Sequence, residues 1–196
     1  MADLPAHATE PTSRADWRAW LAEHHATAPH VWLVTRKKAA GGPALTYSEA
    51  VEEALCVGWV DSVPRTLDAE RSMLYVSPRK PRSGWSRPNK ERVARLESAG
   101  LMRPAGQAAV EAAKANGAWT LLDNVEDLVV PDDLAAALAG RAGARAHWDA
   151  FPPSARRGIL EWIVQAKRPE TWARRIADTA EEAAGGRRAN QWKRKQ

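Results

Sequence analysis

Every β-prone run in this chain lies between Val31 and Ser77, and beyond Pro104 the signals are helical almost throughout. That division limits the fold more than any other feature of the sequence. Three short strands are on offer: 31–35 (Val-Trp-Leu-Val-Thr), 59–63 (Trp-Val-Asp-Ser-Val) and 73–77 (Met-Leu-Tyr-Val-Ser). Each is rich in β-branched and aromatic residues. A sheet this small has to bury its apolar face under helices. The expected fold class is therefore α+β, a small mostly antiparallel or mixed sheet covered by helices, with a helical C-terminal unit. At 196 residues the chain supports one sizeable core, or one core with a helical appendage. The organisation expected is a flexible N-terminus over 1–12, an α+β core over 13–117, a helical unit over 118–185 and a basic flexible tail over 186–196.

Helix boundaries are marked by capping chemistry. Ser13 to Asp16 reads as a capping-box variant, and Trp17, Trp20, Leu21 and His24 follow at i, i+3, i+4 and i+7. Thr46-Tyr47-Ser48-Glu49 is a full capping box ahead of Val51, Ala54 and Leu55, with Gly58 where a C′ glycine belongs, so a helix is predicted over 46–57. Strands 59–63 and 73–77 are expected to pair as a hairpin across a polar segment, 64–72. Ser86 is placed to cap a helix through Leu96 that stops at Gly100. Further helices are predicted from Pro104 to Gly117, from Pro131-Asp132-Asp133 to Gly140, after a Ser154 cap, and from Pro169-Glu170 onward.

Composition removes several function classes. No run approaches the roughly 18 apolar residues of a membrane span. The opening MADLPAHATEPTSRAD lacks the basic and apolar regions of a secretory signal, so residence in the cytoplasm is expected. Cys56 is the single cysteine, and no Cys/His spacing suits zinc, so neither a disulfide scaffold nor a metal or other cofactor is expected. The net charge is +5, but residues 185–196 hold five of the 29 basic residues, leaving 24 basic against 24 acidic elsewhere. A second basic stretch, Arg79 to Arg95, carries seven Arg or Lys against Glu91 alone.

Residues 54–106 carry a recognisable block in three pieces: Leu55-Cys56-Val57-Gly58-Trp59-Val60-Asp61-Ser62, Ser77-Pro78-Arg79-Lys80, and Trp85-Ser86 with Asn89-Lys90. With Val31-Trp32-Leu33-Val34 upstream, and Trp162-Ile163, Ala166-Lys167 and Glu170-Thr171 downstream, this block resembles the YdeI/OmpD-associated (bacteriocin-protection) family over about residues 13–185. One departure is visible, Trp172 where the family tends to carry Arg after Glu-Thr. The resemblance implies a cytoplasmic protein of bacteriocin or stress tolerance and transfers no catalytic residue.

Read chemically, the block concentrates Trp59, Asp61, Arg65, Arg71, Arg79, Lys80, Trp85, Ser86 and Asn89. Guanidinium groups converging on a helix start favour an anion, Ser86 and Asn89 add neutral donors, and Trp59 or Trp85 can stack on a planar group. A small anionic or planar molecule is the expected partner. The competing reading makes Asp61–Arg65 and Asp68–Arg71 internal ion pairs and Trp59 and Trp85 core. Two alternatives use the same region: an enzyme with Asp61 as general base, and a nucleic-acid-associated protein using 79–95 and the tail, which is not favoured because most of the ten tryptophans sit at core phases. No Gly-rich phosphate loop, nucleophile elbow or His/Glu metal spacing is present. Cys56 falls in the apolar phase of its helix and reads as a buried small hydrophobe. Nothing in the sequence selects an oligomeric state.

Overall fold

The computed structural model describes residues 3–42 and 44–190, and the chain divides into two compact units between Trp119 and Thr120. In the first unit the order is β1 (Ala8–Thr9), α1 (Arg14–His24), β2 (Val31–Arg36), a 3-10 turn (Lys38–Ala40), α2 (Tyr47–Cys56), β3 (Trp59–Thr66), β4 (Arg71–Pro78), α3 (Arg87–Ser98) and α4 (Pro104–Ala115). The fold is α+β, and its four-stranded sheet has the order β1-β2-β4-β3. The sheet is mixed: β1 runs parallel to β2, and the other neighbours are antiparallel.

Local chemistry sets the helix starts. The Ser13 side chain accepts from the Asp16 N–H at 3.1 Å, beginning α1. Thr46 and Glu49 form the reciprocal capping box of α2, and Gly58, at φ 76°, takes the left-handed conformation that ends the helix. Ser86 stands at the N-cap of α3, but its side chain makes no capping hydrogen bond.

The hairpin is longer than 59–63 paired with 73–77. Its strands reach through Thr66 and Arg71, leaving a four-residue turn, Leu67 to Glu70. Pro64 is tolerated because β3 is an edge strand, where a missing N–H breaks no ladder, and because the register shifts between Asp61 and Pro64. Asp68 holds the turn, accepting from the N–H groups of Glu70 and Arg71 at 3.0 and 2.8 Å.

Helix α2 lies between two cores, so the apolar residues of its second half are divided between them. One core packs Trp17 and Leu21 of α1, Ala50 and Ala54 of α2, and the sheet residues Val31, Leu33, Trp59 and Val76. The other packs Val51, Leu55 and Cys56 against Trp85, Val93, Leu96 and Val110. The buried indole of Trp17 donates to the carbonyl of Ala50 at 3.1 Å, so this large apolar side chain leaves no orphan donor. Residues 8–10, expected in a frayed lead-in, are engaged: Ala8 and Thr9 pair with β2, and Glu10 meets Arg71 at 3.0 Å.

The second unit is helical: α5 (Asp123–Glu126), α6 (Asp132–Ala139), α7 (Ala144–Ala150), α8 (Pro153–Val164) and α9 (Pro169–Ala184). Its core is built from Leu134, Leu138, Trp148, Ile159, Leu160, Ile163, Ile176 and Ala180. Helix α8 begins at Pro153 rather than with a Ser154 cap, since proline at the first helical position has its φ already set. Helix α7 was not anticipated, because its single large apolar residue, Trp148, gives no period to read. Of the expected tail, Ala189 is buried and Arg187 Nε meets Glu182 at 2.6 Å, while Arg187, Arg188 and Asn190 are exposed. The remainder, with Trp192, lies outside the described residues.

Candidate functional site

Asp61 sits near the start of β3, Tyr47 opens α2, Arg79 follows β4, and Asn89 and Arg92 lie in the first turns of α3. The Tyr47 hydroxyl donates to Asp61 Oδ2 at 2.9 Å. Arg92 Nη1 donates to Asn89 Oδ1 at 3.1 Å. Arg92 acts electrostatically on Tyr47, which links the two pairs, and Asp61 acts on Arg79. Although Tyr47 is 59% exposed, partial desolvation of its hydroxyl, followed by donation to Asp61, raises the phenol above its ordinary value.

Arg79 is the most unusual member. Its guanidinium carbon lies 3.8 Å from the centroid of the Trp85 ring, and Nη2 donates to the Gly84 carbonyl. Nε and Nη1 are buried with no hydrogen-bond partner. Burial pushes its pKa down to about 10, against the opposing pull of Asp61. Arg92 adds a further buried, unpartnered Nε. Buried guanidinium donors without acceptors are costly unless an acceptor arrives from outside.

Beside this cluster is a cavity of about 500 Å³ under the sheet, lined in part by Tyr47, Asp61, Thr46, Ser62, Ser72 and Lys38. The Tyr47–Asp61 pair belongs to both, so the cavity ends where the basic cluster begins.

The structure brings together Asp61, Arg79 and Trp85 of the residues picked from sequence, joins Asn89 to Arg92, and places the others elsewhere. Trp59 is core, its indole donating to the His25 carbonyl at 3.1 Å. Trp85 is 1% exposed, with Arg79 on its face and Trp119 5.1 Å away, so neither indole has a face left for a planar ligand. Arg65 is exposed on the other face of the sheet, 5.1 Å over Trp32. Asp61 therefore has Tyr47 as its hydrogen-bond partner, not Arg65. Arg71 is a scaffold residue, paired with Asp68 at 2.8 Å and Glu10 at 3.0 Å, and strand rise puts it roughly 25 Å from Arg79. Lys80 is exposed at the rim, and Ser86 holds the N-cap through its backbone.

Tyr47 and Arg92 were missed from sequence. Tyr47 was absorbed into the capping box, and Arg92 counted only as one charge of a basic run. A usable signal existed in the helical spacing of Asn89 and Arg92, which puts both on one face of α3.

No helix among the described residues is long and apolar enough to cross a membrane, and no group of three or more His, Cys, Asp or Glu side chains among them is placed to hold a metal ion.

Residues 9–109, which contain the whole cluster, match a family described as a domain of unknown function (DUF8412). Residues 127–186 match the family described as bacteriocin-protection, YdeI or OmpD-associated. The first match spans about half of the chain, which belongs to that family, and the second is a similarity confined to residues 127–186. No curated protein and no solved structure matches it. The YdeI/OmpD-associated match thus falls on the helical C-terminal unit. The block at 54–106, from which the resemblance was drawn, falls inside the DUF8412 match instead.

Proposed function

We propose that the N-terminal unit is a binding module for a small anion, and that this binding underlies a protective role in the cytoplasm. The observation that carries the reading is the Arg79 guanidinium, buried on Trp85 with Nε and Nη1 unpartnered. A carboxylate or phosphate oxygen would satisfy those donors. Asp61 is held off by its acceptance from Tyr47, and it keeps the Arg79 charge in place without consuming its donors. The anionic half of the original expectation is retained, and the planar half loses its stacking residues.

The test is a thermal-shift titration with inorganic phosphate, citrate and adenosine monophosphate, on the parent and on Arg79→Met. Methionine keeps an apolar stem against Trp85 and deletes the unpartnered donors. The expected result is an anion-dependent rise in Tm that is absent in the variant, with a ligand-free Tm equal to or above the parent's, because orphaned buried donors cost about 1–3 kcal/mol. A variant that melts well below the parent, together with a parent unmoved by all three anions, would make Arg79 a structural residue and defeat the reading.

A further inference from the structure

A cavity of about 620 Å³ lies at the other end of α2, bounded by α1, by the C-terminal turn of α2 and by the segment joining α3 to α4. Tyr47 opens α2 and Cys56 ends it, so the two sites are roughly 14 Å apart by helix rise. The volume is that of a small-molecule site, and the walls have the usual character of one, mostly apolar with a few polar groups. Leu21, Ala22, Val57, Leu101, Pro104 and Ala105 supply the apolar surface.

The polar groups have separate fates. Glu53 is 3% exposed and fully occupied: Oε1 accepts from Arg14 Nε and Arg18 Nη2, each at 2.6 Å, and Oε2 from Arg18 Nε at 2.8 Å. His25 is fixed by its contact with the Leu21 carbonyl at 2.8 Å. Cys56, buried and unpaired, is a neutral thiol in the wall. Arg103 is the exception. Its N–H donates to the Cys56 carbonyl at 2.9 Å, which pins its backbone at the start of α4, while its exposed guanidinium makes no hydrogen bond or ion pair with any described residue. The site therefore joins an apolar chamber, an internally neutralised acid and one uncommitted cation.

We infer that this cavity binds an apolar monocarboxylate, its hydrocarbon body against Leu21, Val57 and Leu101 and its carboxylate on Arg103. One charge on an apolar body matches the one cation left unmatched in an apolar wall. A dicarboxylate would place its second charge against Glu53 or hydrocarbon, and an amine would meet Arg18 and Arg103.

The single cysteine of the chain lies in the cavity wall, so it reports occupancy directly. The experiment measures the rate of Cys56 modification by a chromogenic disulfide on the full chain, with octanoate, 1-naphthoate, octanol or octylamine added, and repeats the binding by calorimetry. Saturable slowing by either acid, with octanol and octylamine much weaker, is the expected outcome. Which acid protects better distinguishes an aliphatic from an aromatic body. Arg103→Gln, at an exposed side chain, should weaken acid binding by about tenfold or more, the loss of one charge-assisted contact. Leu101→Trp, at a residue 42% exposed on the rim, should reduce protection by filling the mouth. Equal protection by octanol and octanoate, an unchanged affinity in Arg103→Gln, or no protection by either acid at millimolar concentration would overturn the inference.

Discussion

Two glycines inside helices give opposed predictions that turn on packing alone. Gly106 lies in α4 where that helix crosses α2: a Cβ built on it would stand 2.3 Å from the Cys56 carbonyl oxygen and 2.8 Å from the Leu55 carbonyl oxygen. Gly158 lies in α8, and a Cβ there meets nothing within 4 Å. Alanine in place of glycine gains about 1 kcal/mol in a helix interior, so Gly158→Ala should stabilise by roughly 0.5–1 kcal/mol. At Gly106 the same gain is opposed by overpacking, which costs about 1–3 kcal/mol. The obstacle is backbone, which has no rotamer to change, so the upper end applies and the net loss should be about 2 kcal/mol. Relief requires α4 to move off α2 by about 1 Å, which also stretches the Arg103 N–H bond to the Cys56 carbonyl. Urea unfolding of both variants, followed by circular dichroism and tryptophan fluorescence, reads the two signs. Should Gly106→Ala prove as stable as Gly158→Ala, the close approach of α4 to α2 is wrong, and the cavity bounded by both helices falls with it.

Three further outcomes follow from named contacts. Glu53→Gln removes the charge that three Arg hydrogen bonds converge on and should cost about 2 kcal/mol near neutral pH, less than for a fully buried pair because Arg14 and Arg18 are 31% and 47% exposed. Burial alone would raise the Glu53 pKa, but Arg18 and Arg14 outweigh it and the net shift is downward. The parent's advantage over Glu53→Gln should therefore hold at higher pH, shrink below the unfolded value of about 4.5 and vanish below the folded value; an advantage that does not fall with acid would show the carboxylate unengaged. Ultraviolet titration should find Tyr47 ionising above its ordinary value of 10.0 and returning toward it in Asp61→Asn; no movement in that variant would contradict the hydrogen bond. Thr46→Ala should cost about 1 kcal/mol through loss of the capping box, measured by thermal unfolding, and a neutral result would mean that Glu49 caps the helix alone.

What could be read from the residues was whatever depends on neighbours in the chain. Capping boxes, the C′ glycine and prolines at first helical positions act over four or five residues, so α1, α2, α4 and α9 were legible, as was the β character of 31–35, 59–63 and 73–77. The Asp68–Arg71 pair was legible for the same reason, since its members are three positions apart. Relations across the chain were decided only by the tertiary structure. Whether Trp59 and Trp85 stack on a ligand or fill a core depends on what α1, α2 and Trp119 leave uncovered, and they leave nothing. That Asp61 meets Tyr47 follows from the packing of α2 on the sheet, and that Glu53 meets Arg14 and Arg18 follows from the packing of α1 on α2. Partnership between side chains 14 to 39 residues apart is a property of how helices and sheet dock, set by the burial of both faces of α2, and no local pattern encodes it.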